Sequence, residues 1–345
     1  MSSKKIRVLI VDDSLFMRAA ISKTLPPALF EIAGQAKDGK DALDKITALT
    51  PDVVTMDFNM PGMNGAETVR AIMQQRPTPV VMFSAHTRQG AKETFDALAA
   101  GAVDFVTKPS GEVSIDLSQI AEELTRKLTA AATARPRAAS MVLPPRLTGP
   151  IAIPKTTLTG SLPRLCVIAV STGGPAALSE LLPALPVDLR LAMVIVQHMP
   201  AHFTAALAER LDASSRLKVR EASAGERPLP GTVLIAPGDK HVEFDDNGAI
   251  VLTDGPLVNG CRPAADVTMM SAARVYGRRT VAVVMTGMGR DGAAGAQAIK
   301  RAEGKTLAQD QATSVIFGMP KAAVDTGAID EVCALGDIAS WLRYA

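Results

Sequence analysis

The sequence predicts an α/β protein built from two parallel-sheet domains in tandem. Short apolar, β-branched runs alternate with helical stretches from residue 6 to about residue 130, and the alternation resumes at residue 164. Most of these runs stop at a polar or charged residue beside Gly, Asn or Pro, where ligands of open α/β sheets bind. An Ala/Thr/Pro-rich stretch separates the two series. The 345-residue length suits two domains, and 47% apolar with 21% charged residues is ordinary for a protein with a large core. The net charge of +2 gives no general argument for nucleic acid or membrane partners. Cys166, Cys261 and Cys333 are too far apart for a zinc pattern and suggest a reducing compartment. Lys4-Lys5 precedes only a short apolar run, broken by Asp12-Asp13, so neither a secretory signal nor a membrane span is expected. The expectation is a cytoplasmic, monomeric protein.

In the first half, strands are expected at Ile6 to Val11, Glu31 to Ala36, Val53 to Asp57, Pro79 to Ser84 and Val103 to Thr107. Helices fill the intervals; in one of them Ala42, Leu43, Ile46 and Leu49 share a face. A last helix is expected from about Asp116 to Ala130. Strand one ends in Asp12-Asp13, strand three in Asp57 and strand four in Ser84, while Lys108 follows strand five. Taken singly, each group has a bland role: a helix cap for Asp13 or Ser14, an Asx-turn for Asp57, a solvated amine for Lys108. Together, three carboxylates on one sheet edge repel one another unless a cation sits among them, and an all-oxygen set favours a hard ion such as Mg²⁺.

Val-Asp-Asp-Ser (11–14), Met-Asp-Phe-Asn-Met-Pro-Gly-Met-Asn-Gly (56–65), Ser84-Ala85 and Lys108-Pro109 resemble the response-regulator receiver family over residues 5 to about 125. The resemblance implies that Asp57 accepts a phosphoryl group from a histidine kinase. It implies that Asp12, Asp13, Asp57 and the Asn59 carbonyl hold Mg²⁺, and that Ser84 and Lys108 bind the phosphoryl oxygens. Phe105 would be the aromatic that reorients in the switch, and a cis peptide would precede Pro109.

No Asp or Glu occurs between Leu124 and Ser179, while Arg126, Lys127, Arg135, Arg137, Arg146, Lys155 and Arg164 accumulate. Pro144, Pro145, Pro150, Pro154 and Pro163 exclude a continuous helix. The expected organisation is a domain at 1–125, a basic linker at 126–160 and a second domain at 161–345. The linker reads as a solvated tether. The alternative is a strip that docks an acidic partner, in which case charge reversal at Arg135, Arg137 and Arg146 weakens binding most at low salt.

In the second half, the apolar run Leu165 to Val170 ends at Ser171-Thr-Gly-Gly-Pro175, a strand-to-helix turn. Leu191 to Val196 ends at Gln197-His198-Met199, and Thr280 to Met285 runs into Thr286-Gly-Met-Gly-Arg-Asp-Gly292. Serine, histidine and aspartate at three strand ends satisfy the needs of acyl transfer: a nucleophile, a base with a pKa of about 6.5, and an acid that orients the base. Ser171 could equally be a helix cap. His202, four residues beyond His198 on an expected helix, has chelating spacing but no third ligand. His86 and His241 read as surface or loop residues. Ala169 replaces the first glycine of the α/β-hydrolase nucleophile elbow, and no phosphate-cradling Gly-Lys-Ser/Thr is present.

Ser171 to Pro175, Gln197 to Met199, Gly287 to Gly292 and Ala308 to Pro320 resemble the catalytic domain of the chemotaxis-specific protein-glutamate methylesterase family. The resemblance implies a Ser171–His198–Asp291 triad, with Thr172 and the Met288 backbone near the oxyanion. It implies hydrolysis of glutamate γ-methyl esters on methyl-accepting chemotaxis receptors, with deamidation of selected receptor glutamines. No cofactor would serve the ester step, and the unphosphorylated receiver would pack over the active site. The alternative is a receiver-controlled serine hydrolase of another ester. A transcriptional regulator is disfavoured because the output half lacks a basic recognition-helix pattern.

Overall fold

The computed structural model describes residues 4–85, 87–108, 120–134 and 162–345. The chain divides into two compact units, Met1–Ser140 and Met141–Ala345.

Unit one alternates β1 (Ile6–Val11), α1 (Leu15–Thr24), β2 (Phe30–Ala36), α2 (Gly39–Leu49), β3 (Val53–Asp57), α3 (Gly65–Gln75), β4 (Val80–Ser84), α4 (Arg88–Ala100), β5 (Asp104–Thr107) and α5 (Ala121–Ala131). The five strands pair in parallel in the order β2-β1-β3-β4-β5. β3 and β4 are buried throughout, as befits central strands of a parallel sheet covered on both faces. Asn64 caps α3 through a reciprocal box with Glu67, and Ser14 caps α1 by accepting from the Met17 amide.

The expected linker start at residue 126 falls inside α5. Leu124, Leu128 and Ala131 form its buried stripe, so helical periodicity continues past the change in composition. Arg126 and Lys127 therefore belong to this helix. Lys127 Nζ lies 2.9 Å from Glu123 and 3.3 Å from Asp104. The docking strip of Arg135, Arg137 and Arg146, the stretch from Asp116 where the last helix is expected to begin and the peptide before Pro109 lie outside the described residues.

Unit two contains β6 (Arg164–Val170), α6 (Gly174–Ala184), β7 (Leu191–Gln197), α7 (Phe203–Ser214), β8 (Lys218–Glu221), β9 (Thr232–Ile235), β10 (His241–Phe244), β11 (Ile250–Thr253), α8 (Ala265–Tyr276), β12 (Thr280–Val284), α9 (Ala293–Arg301), β13 (Lys305–Gln309), α10 (Met319–Asp325), β14 (Glu331–Cys333) and α11 (Leu335–Tyr344). Seven strands form a parallel sheet in the order β14-β13-β12-β6-β7-β9-β8, beside an antiparallel β10-β11 hairpin. The hairpin packs Val242, Phe244 and Ile250 into a core that includes Val167, Val194, Met269 and Val284.

Three elements of this unit carry little sequence signal: β10, α10 and β14. All are short, four, seven and three residues, and sequence periodicity carries little signal over so few positions. No helix among the described residues is long and apolar enough to cross a membrane.

Candidate functional site

In unit one, strand order reverses between β1 and β3, and Asp12 and Asp57 stand at that carboxyl edge. Both are buried, whereas Asp13 is exposed. The ligating oxygens of Asp12, Asp13 and Asp57 all lie within 4.8 Å of one another. Lys108 Nζ lies 2.8 Å from Asp57 Oδ1 and 3.2 Å from Asp12 Oδ2. Burial pushes the carboxyl groups of Asp12 and Asp57 above the ordinary range, and Lys108 offsets this only in part. Burial also works against the Lys108 charge, but the two carboxylates outweigh it and raise its pKa. Three carboxylates against one ammonium leave net negative charge in a partly buried, all-oxygen pocket, a donor set that fits a hard divalent cation.

The other residues named by the receiver resemblance make contacts of their own. The Ser84 hydroxyl is committed to α4, donating to the Gly90 carbonyl (3.1 Å) and accepting from Thr94 (2.6 Å). The Asn59 amide donates to Glu93 at 3.4 Å. Phe105 is buried, with the Lys127 ammonium 4.9 Å from its ring centroid.

In unit two, the chain runs outward from β6 through β7, then returns to place β12 on the other side of β6. β6 is therefore the switch point, and its end is flanked by the ends of β7 and β12. Register makes the neighbours specific: Val170 opposes Gln197, and the His198 amide donates to the Val170 carbonyl at 3.2 Å. The Ser171 amide donates to the Thr286 carbonyl at 3.0 Å, which joins it to the loop carrying Asp291.

The helix-cap reading of Ser171 does not hold. Gly173 is the N-cap of α6, and no side-chain cap bond forms there. The intervening glycines are sterically required. Gly173 has φ +78°, and a Cβ there would stand 2.6 Å from Val315 Cβ. A Cβ at Gly287 would lie 2.8 Å from Ser171 Cβ, so the 286–292 loop passes directly against the serine. The Met288 amide, next in that loop, forms no hydrogen bond among the described residues. Thr172 is buried, and its carbonyl accepts from the Thr286 hydroxyl at 3.0 Å.

His198 Nε2 lies 2.7 Å from Asp291 Oδ2. Asp291 is 2% exposed and takes further bonds from the Ala265 amide (2.6 Å), the Asp266 amide (3.0 Å) and Asn259 Nδ2 (3.1 Å). Burial opposes its ionisation, but the His198 contact and these amides hold its pKa below the usual carboxylate value. Nδ1 of His198 faces Cys261 Sγ at 3.6 Å. Burial disfavours the imidazolium, yet the contacts with Asp291 and Cys261 prevail and raise His198 to about 9. The Ser171 hydroxyl makes no hydrogen bond to the ring, so His198 and Asp291 are joined while Ser171 stands beside them at the adjacent strand end. Such contacts often close only when substrate is bound.

The remaining histidines differ from expectation. His202 is the N-cap of α7, with φ 72°, and not a helical residue one turn after His198. The three-ligand cluster found among the described residues is the aspartate set of unit one. His241 is buried, bonding the Pro256 carbonyl (3.0 Å) and the Ala264 amide (3.2 Å). His86 lies outside the described residues. Residues without an expected role include Gln197, whose amide donates to the carbonyls of Ser171 and His198, and Asn259, Cys261 and Asp266. The Asn259-Gly260 pair is a legible turn signal, but its contact with Asp291 is not.

A parallel sheet with serine, histidine and aspartate at neighbouring strand ends, joined to a second sheet with a carboxylate pocket, defines a receiver-linked α/β hydrolase. Residues 166–342 match the CheB methylesterase family model, and residues 8–118 match that of the response regulator receiver domain. A protein-glutamate methylesterase/protein-glutamine glutaminase of Symbiobacterium thermophilum is 47% identical over 352 residues, covering 99% of this chain and 97% of the relative. The Thermotoga maritima protein of the same name is 43% identical, covering 96% of each chain. The crystal structure of the Thermotoga maritima CheB methylesterase catalytic domain, 43% identical, superposes with a TM-score of 0.51 over 53% of this chain and 98% of that one. The chain belongs to the protein-glutamate methylesterase/protein-glutamine glutaminase family.

Proposed function

We propose that this chain hydrolyses glutamate γ-methyl esters on the cytoplasmic helices of chemotaxis receptors, releasing methanol, and deamidates receptor glutamines at the same site. The observation that carries this reading is the His198–Asp291 pair beside Ser171 at the switch point of a family-matched sheet. Ser171 Oγ attacks the ester carbonyl while His198 takes its proton. Since Nε2 is committed to Asp291, Nδ1 is the atom left to act as base. Asp291 stabilises the imidazolium, and the Thr172–Met288 region surrounds the oxyanion. The proton passes from His198 to the leaving methoxide, and water then hydrolyses the acyl-enzyme. An amide gives the same tetrahedral intermediate, with ammonia as the leaving group.

Control resides in unit one. Asp57 accepts a phosphoryl group from a chemotaxis histidine kinase, Lys108 neutralises the transferred oxygens, and Ser84 turns from α4 to bind one of them. Asp12, Asp13, Asp57 and the Asn59 carbonyl would hold Mg²⁺, which supplies further positive charge to the phosphoryl oxygens. The chain acts as a monomer in the cytoplasm. The test is methanol release from methylated receptor: Ser171→Ala abolishes it and leaves phosphorylation of Asp57 intact. Retention of methanol release by that variant would remove Ser171 from the mechanism. Release from an unrelated methyl ester but not from methylated receptor would favour another substrate.

A further inference from the structure

The segment between β11 and α8 enters the active site through a single two-residue turn. Val258 and Cys261 exchange backbone hydrogen bonds of 3.1 and 2.9 Å. The residues between them, Asn259 and Gly260, have φ 53° and 75°. Two left-handed central residues make this a type I′ turn, which asparagine and glycine tolerate best. The turn carries the Asn259 amide in behind Asp291. Nδ2 lies 3.1 Å from Asp291 Oδ1 and 2.9 Å from Asp266 Oδ2. One NH₂ group, with two protons to give, therefore spans two buried carboxylates.

This bridge completes the set of donors on Asp291. Oδ2 accepts from His198 and the Ala265 amide, and Oδ1 accepts from the Asp266 amide and Asn259. Each oxygen then accepts two hydrogen bonds, so rotation of the carboxylate away from the imidazole breaks several at once. Asp266 is itself held at Oδ1 by the Gly295 amide at 2.7 Å, which fixes the far end of the bridge on α9. Without Asn259, two neighbouring buried carboxylates lose the donor shared between them, which raises the cost of keeping both ionised.

We propose that Asn259 is a positioning residue for methyl-ester hydrolysis. By bridging Asp291 and Asp266 it holds Asp291 Oδ2 on His198 Nε2. It acts through Asp291 and touches neither the nucleophile nor the base. The inference rests on the triad reading above.

The test uses the full-length protein with two substitutions. Asn259→Gly keeps the left-handed backbone and deletes the amide; Asn259→Asp keeps the shape and exchanges the donor for an acceptor. Thermal melting followed by circular dichroism identifies the folded variants, and Asn259→Asp decides the matter if Asn259→Gly does not fold. Methanol release from a methylated receptor cytoplasmic fragment is expected to fall about 10²-fold in kcat, with KM unchanged within about twofold. The downfield proton resonance of the His198 Nε2–H is expected to move upfield or disappear. A kcat within about twofold of wild type would overturn the proposal, and so would a lowered kcat with that resonance unmoved. If the wild-type chain releases no methanol, the functional reading fails, but the resonance needs no substrate and still decides the role of Asn259.

Discussion

At His198 burial and hydrogen bonding pull in opposite directions, and hydrogen bonding prevails. A pKa raised from 6.5 to about 9 leaves the ring largely protonated at neutral pH, while the proton abstraction from Ser171 proposed above needs it neutral. The esterase rate is therefore expected to climb with pH up to about 9. Cys261→Ala removes one of the contacts that favour the imidazolium and should shift the rising limb to lower pH; a pH–kcat/KM profile of both proteins checks this. The same shift has a stability consequence. Because the folded pKa lies above the unfolded one, the His198–Asp291 stabilisation is full below about pH 6.5 and is lost as pH rises through about 9. Melting temperatures of wild type and His198→Gln should then converge towards high pH.

At the scale of elements, strand ends and the turns that follow them carry nearly all the chemistry. The turn after β6 depends on Gly173. A side chain there combines a left-handed backbone with a clash against Val315 Cβ. Gly173→Ala is expected to cost about 2 kcal/mol of stability and to lower methanol release beyond that loss, measured by denaturant unfolding alongside turnover. The ends of β1 and β3 pose the opposite problem, since their carboxylates are held closer than their charges favour. Mg²⁺ should raise the melting temperature of the wild-type protein. Asp57→Asn, which removes one buried charge, should raise the metal-free melting temperature and reduce the Mg²⁺ effect; an unchanged Mg²⁺ response would place the cation elsewhere.

At the scale of the whole molecule, the carboxylate pocket of a receiver domain and the Ser171, His198 and Asp291 group of a methylesterase domain occupy the carboxyl edges of two separate sheets in one chain. Phosphorylation of Asp57 is expected to change turnover at Ser171. A small-molecule phosphodonor should stimulate methanol release by the wild-type protein and leave Asp57→Asn at its basal rate. Equal stimulation of both would disconnect the receiver from the esterase.

The sequence by itself determined the two parallel-sheet units and the residues at their strand ends. Apolar runs that stop at Asp12, Asp57, Ser171, His198 or in the loop of Asp291 are a local signal, and parallel sheets place such residues at one edge. Only the tertiary structure decided which of them meet. Strand order and register set His198 beside Ser171, and the Asp291 carboxylate against Nε2. It also decided what composition misrepresented: Lys127 lies in α5 and not in a linker, and His241 is buried and not exposed. Asn259, Cys261 and Asp266 reach His198 and Asp291 through a turn and a helix start distant from both in the chain. Local patterning records periodicity and turn chemistry, whereas contacts between remote segments arise only once the sheets have set their order and register.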